Sequence, residues 1–211
     1  MRHPTDMLKK LKMEIRQAGK IVAGVPTTGS VTPLHHLKVQ SFILLSHAAF
    51  EQYLEELGRQ IARDARRQFK AKGRISKVLV TLMTAKALDD VADKARKRVT
   101  EDIVHNLDVF SELALSRYEK MLGDNHGICE QNQKNILLPI GVDPEMIDTS
   151  LMNTLNAFGK MRGTIAHTFA MVRTEHTLSD VNATLSLILG SIGSFDQAAC
   201  SALKLGMAKS S

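Results

Sequence analysis

Along most of this chain apolar side chains recur every three or four residues, the period of an amphipathic helix, and almost nowhere every second residue, the period of a strand. The repeats predict a first helix over residues 5–23, where Met7, Leu8, Leu11, Ile15, Ile21 and Val22 interleave with Lys9, Lys10, Lys12, Arg16 and Lys20, and Pro4 suits the first turn. Two prolines and two glycines in residues 24–33 defeat both periodicities and predict a loop. A longer helix follows over residues 34–72. Its Ile43, Phe50, Leu54, Leu57 and Ile61 share one face, while Arg59, Arg63, Arg66, Arg67 and Lys70 fall within about 100° on the opposite face. The first face is expected to be core and the second wet.

Gly73 ends that helix, and residues 75–122 predict one long helix or two with a break near residue 100. The run Gly123-Asp124-Asn125-His126-Gly127 is a stop. A polar connection to residue 149 has room for one short helix over 130–138, with Asp143-Pro144 as a cap and first-turn pair and Thr149 as the cap of the next helix. Thr177-Leu178-Ser179-Asp180 reads as a capping box before a last helix over 181–205, which Gly190 and Gly193 weaken. Residues 207–211 read as a frayed tail. The fold class is therefore all-α: a helical bundle with long antiparallel helices.

Composition narrows this only a little. With 211 residues and 44% hydrophobic content, the chain can bury one sizeable core, and one domain is expected. Residues 1–33 form an arm and linker packed on a body of residues 34–211. The net charge of +6 permits attraction to phosphate, as the basic run Arg59, Arg63, Arg66, Arg67 and Lys70 does, but lysine-rich solvated helices give the same balance without a ligand. No apolar run approaches the ~20 residues of a membrane span, so no membrane partner is expected. Cys129 and Cys200 stand far apart without a secretory leader, the usage of a reduced cytoplasm. No P-loop, dinucleotide fingerprint or nucleophile elbow is present. His126 and Cys129 lack a third ligand at zinc-like spacing, so neither a metal nor a cofactor is expected.

The chemistry concentrates in Met161-Arg162-Gly163-Thr164-Ile165-Ala166-His167. On a helix Leu151, Leu155, Phe158, Ile165 and Phe169 form one stripe, and Arg162 projects from its middle, where a guanidinium must be paired or face a cleft. His167 lies about 140° further round. The two converge only through the reach of the arginine, a bend, or a second copy of the chain. On the 34–72 helix, His47 is one turn from Glu51 and close enough to pair with it; a satisfied core histidine is the plain structural account of that spacing.

Arg162 and His167 match the R-x4-6-H motif of the HEPN domains (higher eukaryotes and prokaryotes nucleotide-binding), and Leu155, Ile165, Ala166 and His167 keep the apolar setting of that motif. Phe50-Glu51-Gln52-Tyr53-Leu54 is similar to the acidic, aromatic-flanked helix of the RiboL-PSP type. The resemblance spans roughly residues 34–170. Two positions depart from it: Gly163 stands where a polar residue is common, and Phe169 where related toxins carry tyrosine.

The resemblance implies an all-helical, metal-independent endoribonuclease, a toxin or phage-defence effector, paired as a homodimer and met by an antitoxin protein. His167 would transfer protons at the ribose 2′-hydroxyl, Arg162 would hold the phosphate, and Glu51 and His47 would support them. The alternative is a non-catalytic helical module of the same type that dimerises and binds RNA or a protein partner.

Overall fold

The computed structural model describes residues 2–27, 31–89, 106–144, 147–167 and 176–207. Its axis is the helix Pro33–Lys72, 40 residues and therefore about 60 Å long. Both ends of that helix are written in the sequence. Thr32 accepts the His35 N–H while the His35 ring accepts the Thr32 N–H, with Pro33 in the first turn. Gly73 closes the other end at φ 63°, a conformation glycine adopts without a Cβ clash.

Numbered in chain order, the helices are α1 (Asp6–Ala18), α2 (Pro33–Lys72), α3 (Lys77–Asp89), α4 (Leu107–Asp124), α5 (Glu130–Leu137), α6 (Thr149–His167), α7 (Leu178–Ser191) and α8 (Gly193–Lys204). Short 3-10 turns extend α1 over Gly19–Val22 and α5 over Leu138–Ile140. The chain is all-α, as its periodicity predicts. Ile43, Phe50, Leu54, Leu57 and Ile61 of α2 are fully buried and central to one apolar cluster, which also takes Leu8, Leu11 and Ile15 from α1, Leu155 and Phe158 from α6, and Ile188 and Phe195 from α7 and α8. Among the described residues no helix is long and apolar enough to cross a membrane.

Several local expectations are corrected. Thr5, not Pro4, starts α1, because its hydroxyl accepts the Leu8 N–H. The first turn of α6 is held by Asp148, whose carboxylate accepts the Ser150 N–H, in place of Thr149. After Asp143, Pro144 is in 3-10 conformation and its carbonyl accepts the Ile147 N–H at 3.2 Å, while the two residues between lie outside the described residues. The last predicted helix is two, α7 and α8, parted at Ile192 between the two glycines. Met207 is not part of a frayed tail: Ile75–Ser76 (β1) pairs antiparallel with Gly206–Met207 (β2), Ile75 opposite Met207. Two residues are too few for an alternating signal. The break expected near residue 100 lies outside the described residues. Thr177 does form the capping box, exchanging bonds with Asp180 at the start of α7.

Candidate functional site

The charged and polar side chains of interest meet where α6 crosses the first half of α2. Phe50 and Phe158 set the depth of that crossing, edge to face with ring centroids 5.9 Å apart. Gly159 lets the segment between α4 and α5 approach α6 closely, since a Cβ there would stand 3.0 Å from Cys129 Sγ. One helical turn beyond Phe158, Arg162 is half-buried. The apolar stripe has therefore not swallowed the guanidinium.

His47 lies on the facing part of α2 and is only 2% exposed. Its Nδ1 is 3.6 Å from a Glu51 carboxylate oxygen, one turn further along the same helix. Burial holds the His47 imidazole below its usual range; the Glu51 carboxylate opposes that shift and the positive charge of Arg162 adds to it. A charge that acts on His47 places Arg162 in the same electrostatic neighbourhood as the His47–Glu51 pair.

The other Glu51 oxygen accepts the backbone N–H of Gly127, in the segment between α4 and α5. Gly127 has φ 111°, and a Cβ built on it would stand 4.0 Å from His47 Nε2. Asn132 of α5 fixes the preceding residues, its Nδ2 donating to Asn125 Oδ1 at 3.1 Å and to the His126 carbonyl at 3.2 Å. Glu130 N–H donates to Asn156 Oδ1 at 3.3 Å, tying the segment to α6. The His126 side chain is exposed above this fixed backbone. Glu55, the next turn of α2, has its carboxyl pushed up by burial and by Glu51, while Arg59 and His126 pull it down. The result is a row of groups along α2, His47, Glu51, Glu55 and Arg59, with the charge of Arg162 acting on His47 and that of His126 on Glu55.

The charge of Arg162 thus reaches His47, and Glu51 is the neighbour of His47 on α2. His167 is the last residue of α6, and its side chain lies outside the described residues. The helix is continuous from Arg162 to His167, so their Cα atoms are about 140° apart around its axis. Glu55 and Asn132 were not singled out from the sequence, and His126 was weighed there only as a metal ligand beside Cys129. The glycines at 123 and 127 marked a stop, and nothing local showed that the stop folds back onto Glu51.

The basic residues of α2 are placed differently from the single wet face expected. Arg66 is 5% exposed, wedged between α2 and α4, with its guanidinium 2.6 Å from Asp108, 3.3 Å from Glu112 and 6.0 Å from the Phe69 ring centroid. The acidic first turns of α4 draw it inward, and that correction follows from a partner absent from the α2 sequence. Arg59 pairs with Glu56 at 2.7 Å, Arg63 with Glu119 at 2.6 Å and Arg67 with Asp64 at 2.7 Å; Arg63, Arg67 and Lys70 remain exposed. Among the described residues no group of three or more His, Cys, Asp or Glu side chains is gathered as a metal would require.

Compared with known proteins, residues 14–201 match the sequence model of a family described as RiboL-PSP-HEPN. No curated protein and no solved structure matches.

Proposed function

This chain belongs to the RiboL-PSP-HEPN family, whose model covers residues 14–201, and from that premise we propose that it is an endoribonuclease that cleaves RNA by transesterification without a metal ion. The observation that carries the reading is Arg162: a half-buried guanidinium, five residues before His167 on one helix, whose charge reaches the buried His47, itself 3.6 Å from Glu51. In this reading Arg162 holds the phosphate, because its planar fork reaches two oxygens at once, and His167 takes the 2′-hydroxyl proton. Glu51 and His47 keep Arg162's surroundings fixed. The exposed Arg63, Arg67 and Lys70 add phosphate attraction without reading sequence.

The roughly 140° between Arg162 and His167 favours a two-fold homodimer, in which an isologous contact brings both motifs to one cleft. A toxin or phage-defence effector of the cytoplasm, held in check by an antitoxin protein, is the cellular role that fits such an activity. The test is RNA cleavage in EDTA by the parent chain and by His167→Ala, with helicity measured for both and the products checked for a 2′,3′-cyclic phosphate. Cleavage by the parent and a loss on the order of a hundredfold in the variant support the enzyme. A parent that leaves RNA intact, or equal cleavage by both, assigns the chain instead to RNA or protein binding.

A further inference from the structure

On the first half of α2, Leu34, Leu37, Ser41, Leu44, Leu45 and Ala48 fall within about 100° around the helix. The four leucines are 61%, 42%, 36% and 46% exposed in that order. No charged residue shares the arc; Lys38, at its edge, turns its ammonium to the Ala23 carbonyl at 3.0 Å. The core is built on the opposite face, through Ile43, Phe50 and Leu54, so folding alone does not cover these leucines. A continuous apolar strip on the surface of a soluble protein marks a place where something else binds.

We infer that what covers the strip is a second copy of the chain, its α2 laid antiparallel across the first about a two-fold axis at Ser41. This rests on the homodimer of the reading just proposed and not on its chemistry.

In that one direction the strip is complementary to itself. Reversed about Ser41, a helix sets each position opposite the one equally far on the other side. Leu37 then meets Leu45, and Leu34 meets Ala48. Leu34 is the most exposed of the four leucines, and Ala48 lies in a groove of about 390 Å³ between α1 and α2, lined also by Ala18, Ile21, Leu45 and Ala49. A large side chain thus faces a hollow, and the two-fold axis repeats the fit at the other end.

Charge favours the same direction. The first turn of α2 holds no acidic residue and is the positive end of a 40-residue helix. Reversal carries that end to the groove, which Glu14 borders, and towards Glu51 and Glu55, which follow Ala48 along α2. Laid parallel instead, the two helices would run side by side into their second halves, where Arg59 and Arg63 continue the arc and each would face its own copy. Antiparallel, those basic halves point away from each other. Each α6 packs on its own α2 through Phe158 and Phe50. An axis perpendicular to both α2 helices leaves the two α6 helices on one side of the seam, as the pairing of their motifs requires.

The experiment exchanges charges across the seam. Leu34→Glu and Ala48→Lys each change an exposed residue, so both variants should keep the parent's helicity, measured by circular dichroism. Light scattering over micromolar concentrations is expected to show a dimeric parent. Each variant alone is expected to associate on the order of a hundredfold more weakly or worse, because it buries a charge without a partner. Mixed in equal amounts, the two variants are expected to pair again: the introduced carboxylate faces the introduced ammonium, and the other end keeps its native leucine and alanine. If the parent and both single variants dimerise alike, this seam is overturned and the homodimer forms through another face. Single variants that separate but do not pair when mixed overturn the antiparallel direction. A monomeric parent removes the seam and the homodimer together and assigns the leucine strip to a different protein. RNA cleavage by the parent in EDTA is scored apart, and its absence ends the ribonuclease reading without moving any of these outcomes.

Discussion

The Glu51 carboxylate accepts the Gly127 N–H with one oxygen and stands 3.6 Å from His47 Nδ1 with the other. It joins a helix to a loop nearly eighty residues away, since the bond spans a sequence separation of 76. Gly127 is buried, so removing the acceptor leaves its N–H unsatisfied. Glu51→Ala is expected to lower stability by about 1–3 kcal/mol. Glu51→Gln keeps a carbonyl oxygen for the same N–H and should lose clearly less. Urea midpoints of the two variants check this; equal losses would mean that the charge, and not the acceptor, holds the loop.

Stability should fall on mild acidification, and His47 should account for part of the fall. Burial and the nearby Arg162 hold its imidazole below the usual range in the folded chain. The unfolded chain takes up the proton near the ordinary value of about 6.5. Between those two values the unfolded state binds more protons, so stability is lost as pH drops through 6.5 and levels off below the folded value. His47→Gln removes that contribution. Urea unfolding at pH 7.5 and 5.5 should show a smaller drop for the variant than for the parent, and identical drops would place the sensitivity elsewhere.

Glycine substitutions in two helices should have opposite signs. A Cβ on Gly58 of α2 would overlap the Tyr118 hydroxyl, which donates to the Ile136 carbonyl at 2.7 Å, and would lie 3.2 Å from Ile136 Cγ2. Gly58→Ala should therefore destabilise by about 1–3 kcal/mol despite the better helix propensity of alanine. Among the described residues, a Cβ on Gly163 of α6 meets nothing within 4 Å. Gly163→Ala should stabilise by about 0.5–1 kcal/mol. Thermal unfolding of both variants checks the pair of signs together.

What could be read from the sequence was what lies within one element. The faces of α2, its proline start and glycine end, and the Thr177 capping box all follow from spacing along one stretch. What could not be read depended on which elements meet. Arg66 looked like its wet neighbours because the carboxylates that bury it, Asp108 and Glu112, come from α4. The two-residue strand pair joins positions 75 and 207 and has no period to detect. At the candidate site, Arg162 and the spacing of His47 and Glu51 were legible, whereas His126 and Glu55 were not, because only the fold-back of Gly127 onto Glu51 brings that loop to α2.

The start of the chain should prove coupled to α8 through one buried carboxylate. Asp196 is fully buried and accepts the Thr5 N–H at 3.0 Å, the Thr5 hydroxyl, and His3 Nδ1 at 2.7 Å. The same Thr5 hydroxyl oxygen accepts the Leu8 N–H at 3.2 Å and so begins α1. One threonine thus caps a helix and satisfies a buried acid. Asp196→Ala strands two buried Thr5 donors and should cost about 2–3 kcal/mol; the His3 contribution is small because that side chain is 37% exposed. Thr5→Ala loses the cap, worth about 1 kcal/mol, and also leaves Asp196 with one donor fewer. Because both variants break the same contact, their losses should not add: the double variant is expected to fall short of the sum by about 0.5–3 kcal/mol. Urea unfolding of the four chains measures that shortfall directly. A strictly additive result would mean that α1 docks through Leu8, Leu11 and Ile15 alone, with the carboxylate bound to the chain's start but contributing nothing to hold it there.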